Sequence, residues 1–209
     1  ANATIASQNP SPLPKPKACQ NEKNKDELVY KEFMAYKFFE ELSDIHLKTQ
    51  AVSLKIIELK NGKEIEHTMF AFLVEDDDKV ADRHEIKKYP SRRMSPLAVK
   101  DSSAINFTLF SYMIGNTDWS LAYQHNTEMF FDGRRMIAIP YDFDHSGLVN
   151  AFYAKPNPML KISSVTERVY RGLCKRDPQT FNNMRNLYIS KEGSILNILN
   201  GFKENIEVK

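Results

Sequence analysis

Two short polar stretches hold most of the residues able to do chemistry. The first is Gly115-Asn116-Thr117-Asp118-Trp119-Ser120-Leu121-Ala122-Tyr123-Gln124-His125-Asn126. The second is Ile139-Pro140-Tyr141-Asp142-Phe143-Asp144-His145-Ser146-Gly147. Together they offer a carboxylate, then an amide, then two further carboxylates. Phosphoryl transfer uses that order: one Asp takes the proton of an attacking hydroxyl, an Asn downstream holds a metal, and a later Asp holds metal against nucleotide phosphates. The transferring group is anionic and needs a divalent cation, and hard cations take oxygen ligands. The base must be a separate carboxylate beside the metal. In this reading Asp118 is the base, and Asn126 and Asp142 are metal ligands. Asp144 is a further metal candidate. Side chains alternate along an extended segment, so we expect Asp142 and Asp144 to differ in role.

Plainer readings exist for each residue. Asp118 can cap its own loop, Asn126 can be a turn residue, and Asp142 and Asp144 can be structural. His125 and His145 read first as hydrogen-bonding partners, and Trp119 reads equally as packing or as a substrate wall.

The elements that must position these loops are legible in outline. Asp26 to Ser43 reads as a helix capped by Asn24 or Asp26, with Val29, Phe33, Tyr36 and Glu40 on one face. Val52–Leu59 and Thr68–Val74 read as strands of a hairpin, with Asn61-Gly62 in a connector somewhat longer than two residues. Glu75-Asp76-Asp77-Asp78 could bind a cation, but more simply starts a helix running to about Tyr89. A second long helix runs from Asp101 or Ser102 to Ile114, ended by Gly115. Thr127–Phe131 and Arg135–Ile139 read as short strands joined at Asp132-Gly133. Three helices are then expected, over 165–173, 179–189 and 194–202. The expected class is α+β, with a small mixed lobe and a helical lobe.

The sequence of 209 residues carries 29 Lys plus Arg against 27 Asp plus Glu, a net charge of +2. That balance argues against a nucleic-acid coat. No apolar run approaches the ~20 residues of a membrane-spanning helix. Residues 1–25, with alternating prolines from Pro10 to Pro16, read as a tail or linker. The first residue is Ala1, so a processed or trimmed form is expected. The two cysteines, Cys19 and Cys174, match no metal knuckle; a single bridge and two separate thiols stand equal. No glycine-rich phosphate loop is visible.

The Gly115–Asp118 and Tyr141–Asp144 motifs, with His125-Asn126 between them, resemble the atypical kinase-like fold of the spore-coat CotH kinases and the HipA-type kinases. The likeness is greatest to an exported bacterial branch. Residues 73–83 resemble the segment joining the lobes in that group, residues 30–42 its regulatory helix, and residues 169–174 a late helix. The resemblance spans roughly residues 26–175. It implies a two-lobed kinase-like fold, with 26–75 a small-lobe remnant and 76–209 a mainly helical lobe. It also implies ATP or a related nucleotide, Mg or Mn, and a protein or small-molecule hydroxyl acceptor. It assigns Asp118 as base, Asn126 and Asp142 as metal ligands, and Glu32 as the helix carboxylate that pairs with a phosphate-binding lysine. Three departures stand beside it. The Asp118-to-Asn126 spacing is eight rather than five, which we read as an insertion at Leu121 to Tyr123. No glycine-rich loop is present, and no lysine-bearing strand precedes Glu32. A kinase-shaped binding or scaffold module is therefore the alternative. A metal-dependent phosphoesterase ranks third, because its earlier Asp-x-His and Gly-Asp ligands are missing.

Overall fold

A computed structural model describes residues 3–6, 23–90, 93–203 and 205–206. Four α-helices and two three-stranded antiparallel sheets follow in the order β1 (Ala3–Ala6), α1 (Lys23–Leu42), β2 (Thr49–Lys60), β3 (Lys63–Val74), α2 (Asp77–His84), β4 (Lys87–Lys88), α3 (Asp101–Ile114), β5 (Thr127–Phe131), β6 (Met136–Pro140) and α4 (Pro178–Phe202). The class is mixed α+β. Among the described residues no helix is long and apolar enough to cross a membrane.

α1 is buried over more than the one face expected of it. Tyr30, Phe33, Met34, Ala35, Tyr36, Phe38, Phe39 and Leu42 are all buried. β3 supplies Phe70, stacked on Tyr30 at 3.8 Å, and α4 supplies Phe202. Phe110 of α3 and Phe143, between the two acidic positions, complete this cluster. One core therefore runs beneath residues from both halves of the chain. Asn106 of α3 ties three helices together at its centre. Its Nδ2 donates to the Leu42 carbonyl at 2.7 Å, and it accepts from the Tyr188 hydroxyl of α4 at 2.9 Å. Burial pushes the Tyr188 phenol well up, so it stays a donor.

Several expectations change. The β2–β3 connector is two residues, Asn61 and Gly62, both at positive φ (53° and 75°). Such a turn matches strand twist, which lets pairing reach Lys60↔Lys63. Ala3–Ala6, inside the expected tail, forms a strand on the outer edge of β2, whose backbone groups it pairs. The proline series lies outside the described residues. α2 is capped by Asp76, whose carboxylate accepts from the Asp78 amide, but it ends at His84, not near Tyr89. Glu85 turns left-handed there, and the chain leaves as β4 to pair with β5.

Two expected helices, over 179–189 and 194–202, are one continuous helix, α4, passing through Gly193. A single helix glycine costs only about 1 kcal/mol. The third, over 165–173, is irregular backbone. Val165 packs against Gly147, and Arg168 and Arg171 reach carbonyls more than fifty residues earlier. Those long-range partners outweigh a helical spacing of apolar residues.

Candidate functional site

The loop carrying Asp118 begins where α3 stops. Gly115 takes φ +67° and returns its amide to Ser111 and Tyr112 carbonyls, the usual left-handed helix end. Asn116, buried, then accepts from the Asp118 amide through Oδ1 at 2.9 Å. Trp119 is fixed by its indole N–H on the Asn116 carbonyl and by an edge contact with Phe107. The turn thus holds Asp118 half-exposed between buried neighbours.

Asn126 reaches back to this Asp. Its Nδ2 donates to the Asp118 carbonyl at 2.9 Å and to Oδ2 at 3.2 Å. That commits the amide nitrogen and leaves Oδ1 as the acceptor for a cation. His125 Nε2 lies 3.0 Å from the other carboxylate oxygen, Oδ1. Gln124 and Asn126 both take positive φ. Backbone held in that region by a β-bridge between Ser120 and His125 fits a functional loop.

β5 and β6, almost wholly buried, carry the chain to the second motif. The Tyr141 amide donates to the Asn126 carbonyl at 3.3 Å, so the two motifs touch at once. Asp142 takes φ +60° and donates its amide to the Tyr36 hydroxyl at 3.0 Å. Phe143 turns fully inward against Tyr36 and Phe110. Asp142 and Asp144 therefore lie on the same outward side and share a side-chain hydrogen bond. The alternation argument does not apply here, because Asp142 sits in the left-handed region and Asp144 in a turn rather than on an extended strand. Asp144 also accepts from the Tyr153 hydroxyl at 3.0 Å.

Glu32 of α1 joins this group by accepting the Phe143 amide at 3.4 Å. Its carboxyl is pushed up to about 7, first by burial, then by the charges of Asp142 and Asp144, the Phe143 amide opposing. Asp142 is also raised, first by burial, then by the charge of Asp144 and the hydrogen bond to it, then by Asp118. Four carboxyls expected from the sequence, Glu32, Asp118, Asp142 and Asp144, thus lie within electrostatic reach of one another around Asp142. The acids crowd one another, and a divalent cation would relieve that crowding. The donor set, Asn126 Oδ1 with the Asp142 and Asp144 carboxylates, is all hard oxygen and fits Mg or Mn. These carboxylates are not drawn into a tight cage. Among the described residues, only Asp76, Asp77 and Asp78 bring three acidic, His or Cys donor atoms within 4.8 Å of one another. That surface trio is occupied otherwise, by the α2 cap and by Lys88, whose Nζ lies 2.7 Å from Asp77 and 3.1 Å from Asp78.

Among the described residues, the charges acting on Glu32 are those of Asp142 and Asp144, with no lysine beside them. Lys15 and Lys17 lie outside the described residues, as does Cys19. Cys174 is exposed.

Comparison with protein-family models, with curated proteins and with solved structures finds no match. The site therefore has to be read from its own geometry.

Sequence reasoning missed four parts of it. Tyr36 and Tyr153 hold the two acidic positions, and their types alone give no hint of it. Gly115 and Gly147 pack back to back. The Gly147 amide donates to the Gly115 carbonyl at 3.0 Å, and a Cβ on Gly115 would stand 3.3 Å from Gly147 Cα. A glycine opening the first motif and a glycine closing the second were the available signal. Arg171 is the fourth.

Proposed function

We propose that the chain is a kinase-like phosphotransferase that moves a phosphoryl group from ATP or a related nucleotide to a hydroxyl on a protein or small molecule. The observation that carries this reading is the approach of Asp118 and Asn126 to Asp142 and Asp144, joined by the Asn126–Asp118 and Tyr141–Asn126 hydrogen bonds. Asp118, half-exposed and separate from the acidic pair, accepts the proton of the attacking hydroxyl. The acceptor oxygen forms its bond to phosphorus as the bond to the nucleotide's leaving oxygen breaks. Asn126, Asp142 and Asp144 would hold Mg or Mn, which neutralises phosphate charge when bound. Glu32 orients the second motif through the Phe143 amide.

A second reading, a kinase-shaped binding module without transfer, is favoured by one observation: Glu32 faces carboxylates where a phosphate-binding lysine would be expected. Thermal unfolding with ATP, with and without Mn, separates the two. The enzyme reading expects metal-dependent stabilisation of about 3 kcal/mol at a hundredfold excess over Kd. Asp142→Ala abolishes that stabilisation. Asp118→Ala keeps it and stops transfer to the acceptor. Transfer by Asp118→Ala at the wild-type rate refutes the assigned base, and stabilisation without transfer by the intact protein supports the binding module.

A further inference from the structure

The irregular segment 165–172 lies across the end of α3 and the loop that follows it. The Val165 carbonyl sits against Gly147, close enough that a Cβ there would meet it at 2.5 Å. Arg168 Nε donates to the Met113 carbonyl in the last turn of α3 at 3.0 Å, where a cation is favoured. Tyr170 and Thr108 approach to 3.3 Å between their hydroxyls. Arg171 ends the series. Its Nη1 donates to the carbonyls on either side of Asp118, Thr117 at 2.6 Å and Trp119 at 3.0 Å. Its guanidinium also stands over the Trp119 ring at 4.7 Å. Burial holds the guanidinium below its ordinary value, and the nearby Asp118 carboxylate opposes that shift.

We propose that Arg171 is the positioning residue for Asp118, gripping the two flanking carbonyls so that the carboxylate keeps one orientation toward Asp142 and Asp144. The purpose rests on the phosphotransferase reading; the grip itself does not. A guanidinium suits the task. The two hydrogens of Nη1 serve the two carbonyls while the guanidinium plane stands over the indole, a stacking that a point-charge ammonium does not reproduce. Asn126 and His125 hold the carboxylate, and Asn116 and Asn126 hold the Asp118 amide and carbonyl, so Arg171 adds the grip on the two flanking peptides.

Trp119 is the only tryptophan in the sequence, so its fluorescence reports the grip with or without catalysis. The test uses the full chain, Arg171→Ala and Arg171→Lys. Acrylamide quenching of Trp119 is expected to rise severalfold in both variants, while circular dichroism keeps its wild-type form. In the transfer assay kcat is expected to fall about 100-fold, the loss that a misplacement of about 1 Å brings, with KM for ATP unchanged. Guanidinium ion at low millimolar concentration is expected to restore Arg171→Ala in part, and not Arg171→Lys, whose ammonium fills the site. Unchanged quenching in folded variants overturns the proposal whatever the activity. Raised quenching with unchanged kcat overturns it as well, by separating the grip from the chemistry. A wild-type chain that transfers nothing overturns the phosphotransferase reading and the purpose given to Arg171, and the quenching data then show the grip as scaffold alone.

Discussion

Gly147→Ala tests the packing that holds the two motifs together. A Cβ at this position would lie 2.5 Å from the Val165 carbonyl oxygen and 2.9 Å from Thr166 Cα, where ordinary contact begins at 3.4 Å. The backbone atoms must therefore part by about 0.9 Å, from the contact limit less the available distance. Both neighbours are main chain, so no rotamer change can absorb the methyl. The motif loop cannot retreat either, because Gly147 is hydrogen-bonded to Gly115 and their backbones are already in contact. The 165–172 segment yields instead. Overpacking of this kind costs about 1–3 kcal/mol, which for a chain of this size lowers the thermal midpoint by roughly 2–12 °C. Urea unfolding, followed by circular dichroism, measures the loss. Trp119 quenching should rise with it, since Arg171 travels with the segment. Gly193→Ala is the matched control: the same added methyl meets nothing within 4 Å on α4 and should stabilise by about 0.5–1 kcal/mol. If Gly147→Ala unfolds at the wild-type urea concentration, the contact drawn between the second motif and the 165–172 segment is wrong.

Two further outcomes follow from the titrating groups. Glu32 has its carboxyl raised from 4.5 to about 7 in the folded chain. Its contribution to stability is whole below the unfolded value and is lost as pH rises through about 7, a loss of about 3 kcal/mol at most. Glu32→Gln should therefore match wild type near pH 4.5 and exceed it above about pH 7 in urea titrations; a difference that stays flat across that window contradicts a carboxyl raised by burial and by its acidic neighbours. At α4, the Thr180 hydroxyl and amide hold the Asp177 carboxyl below its usual range. The Asp177→Ala variant should be less stable than wild type at neutral pH, with the gap closing as pH falls and the carboxylate is protonated. An unchanged gap at low pH would show that the cap works without its charge.

Features decided by a few adjacent residues were legible in the sequence. Asn61-Gly62 marked the hairpin, Gly115 ended α3, and the acidic run 75–78 marked the start of α2, because each is fixed by a local φ requirement or one unsatisfied amide. The order of Asp118, Asn126, Asp142 and Asp144 along the chain was legible too, since two short loops carry all four. What escaped was set by contacts between distant segments. Val165 to Leu173 carries a helical spacing, yet Arg168 and Arg171 gain acceptors at Met113, Thr117 and Trp119 that no local pattern encodes. Helix propensity differs by tenths of a kcal/mol per residue, whereas a hydrogen bond from a charged donor contributes about 1.5–3 kcal/mol. Two such donors within four residues therefore decide the backbone against the helix. The same comparison explains the site. Asp118 is recognisable by type, but its orientation is held by Asn126 eight residues on and by Arg171 fifty-three residues on. A sequence reading can name the chemical groups of such a site, while the residues that aim them emerge only when the chain is folded.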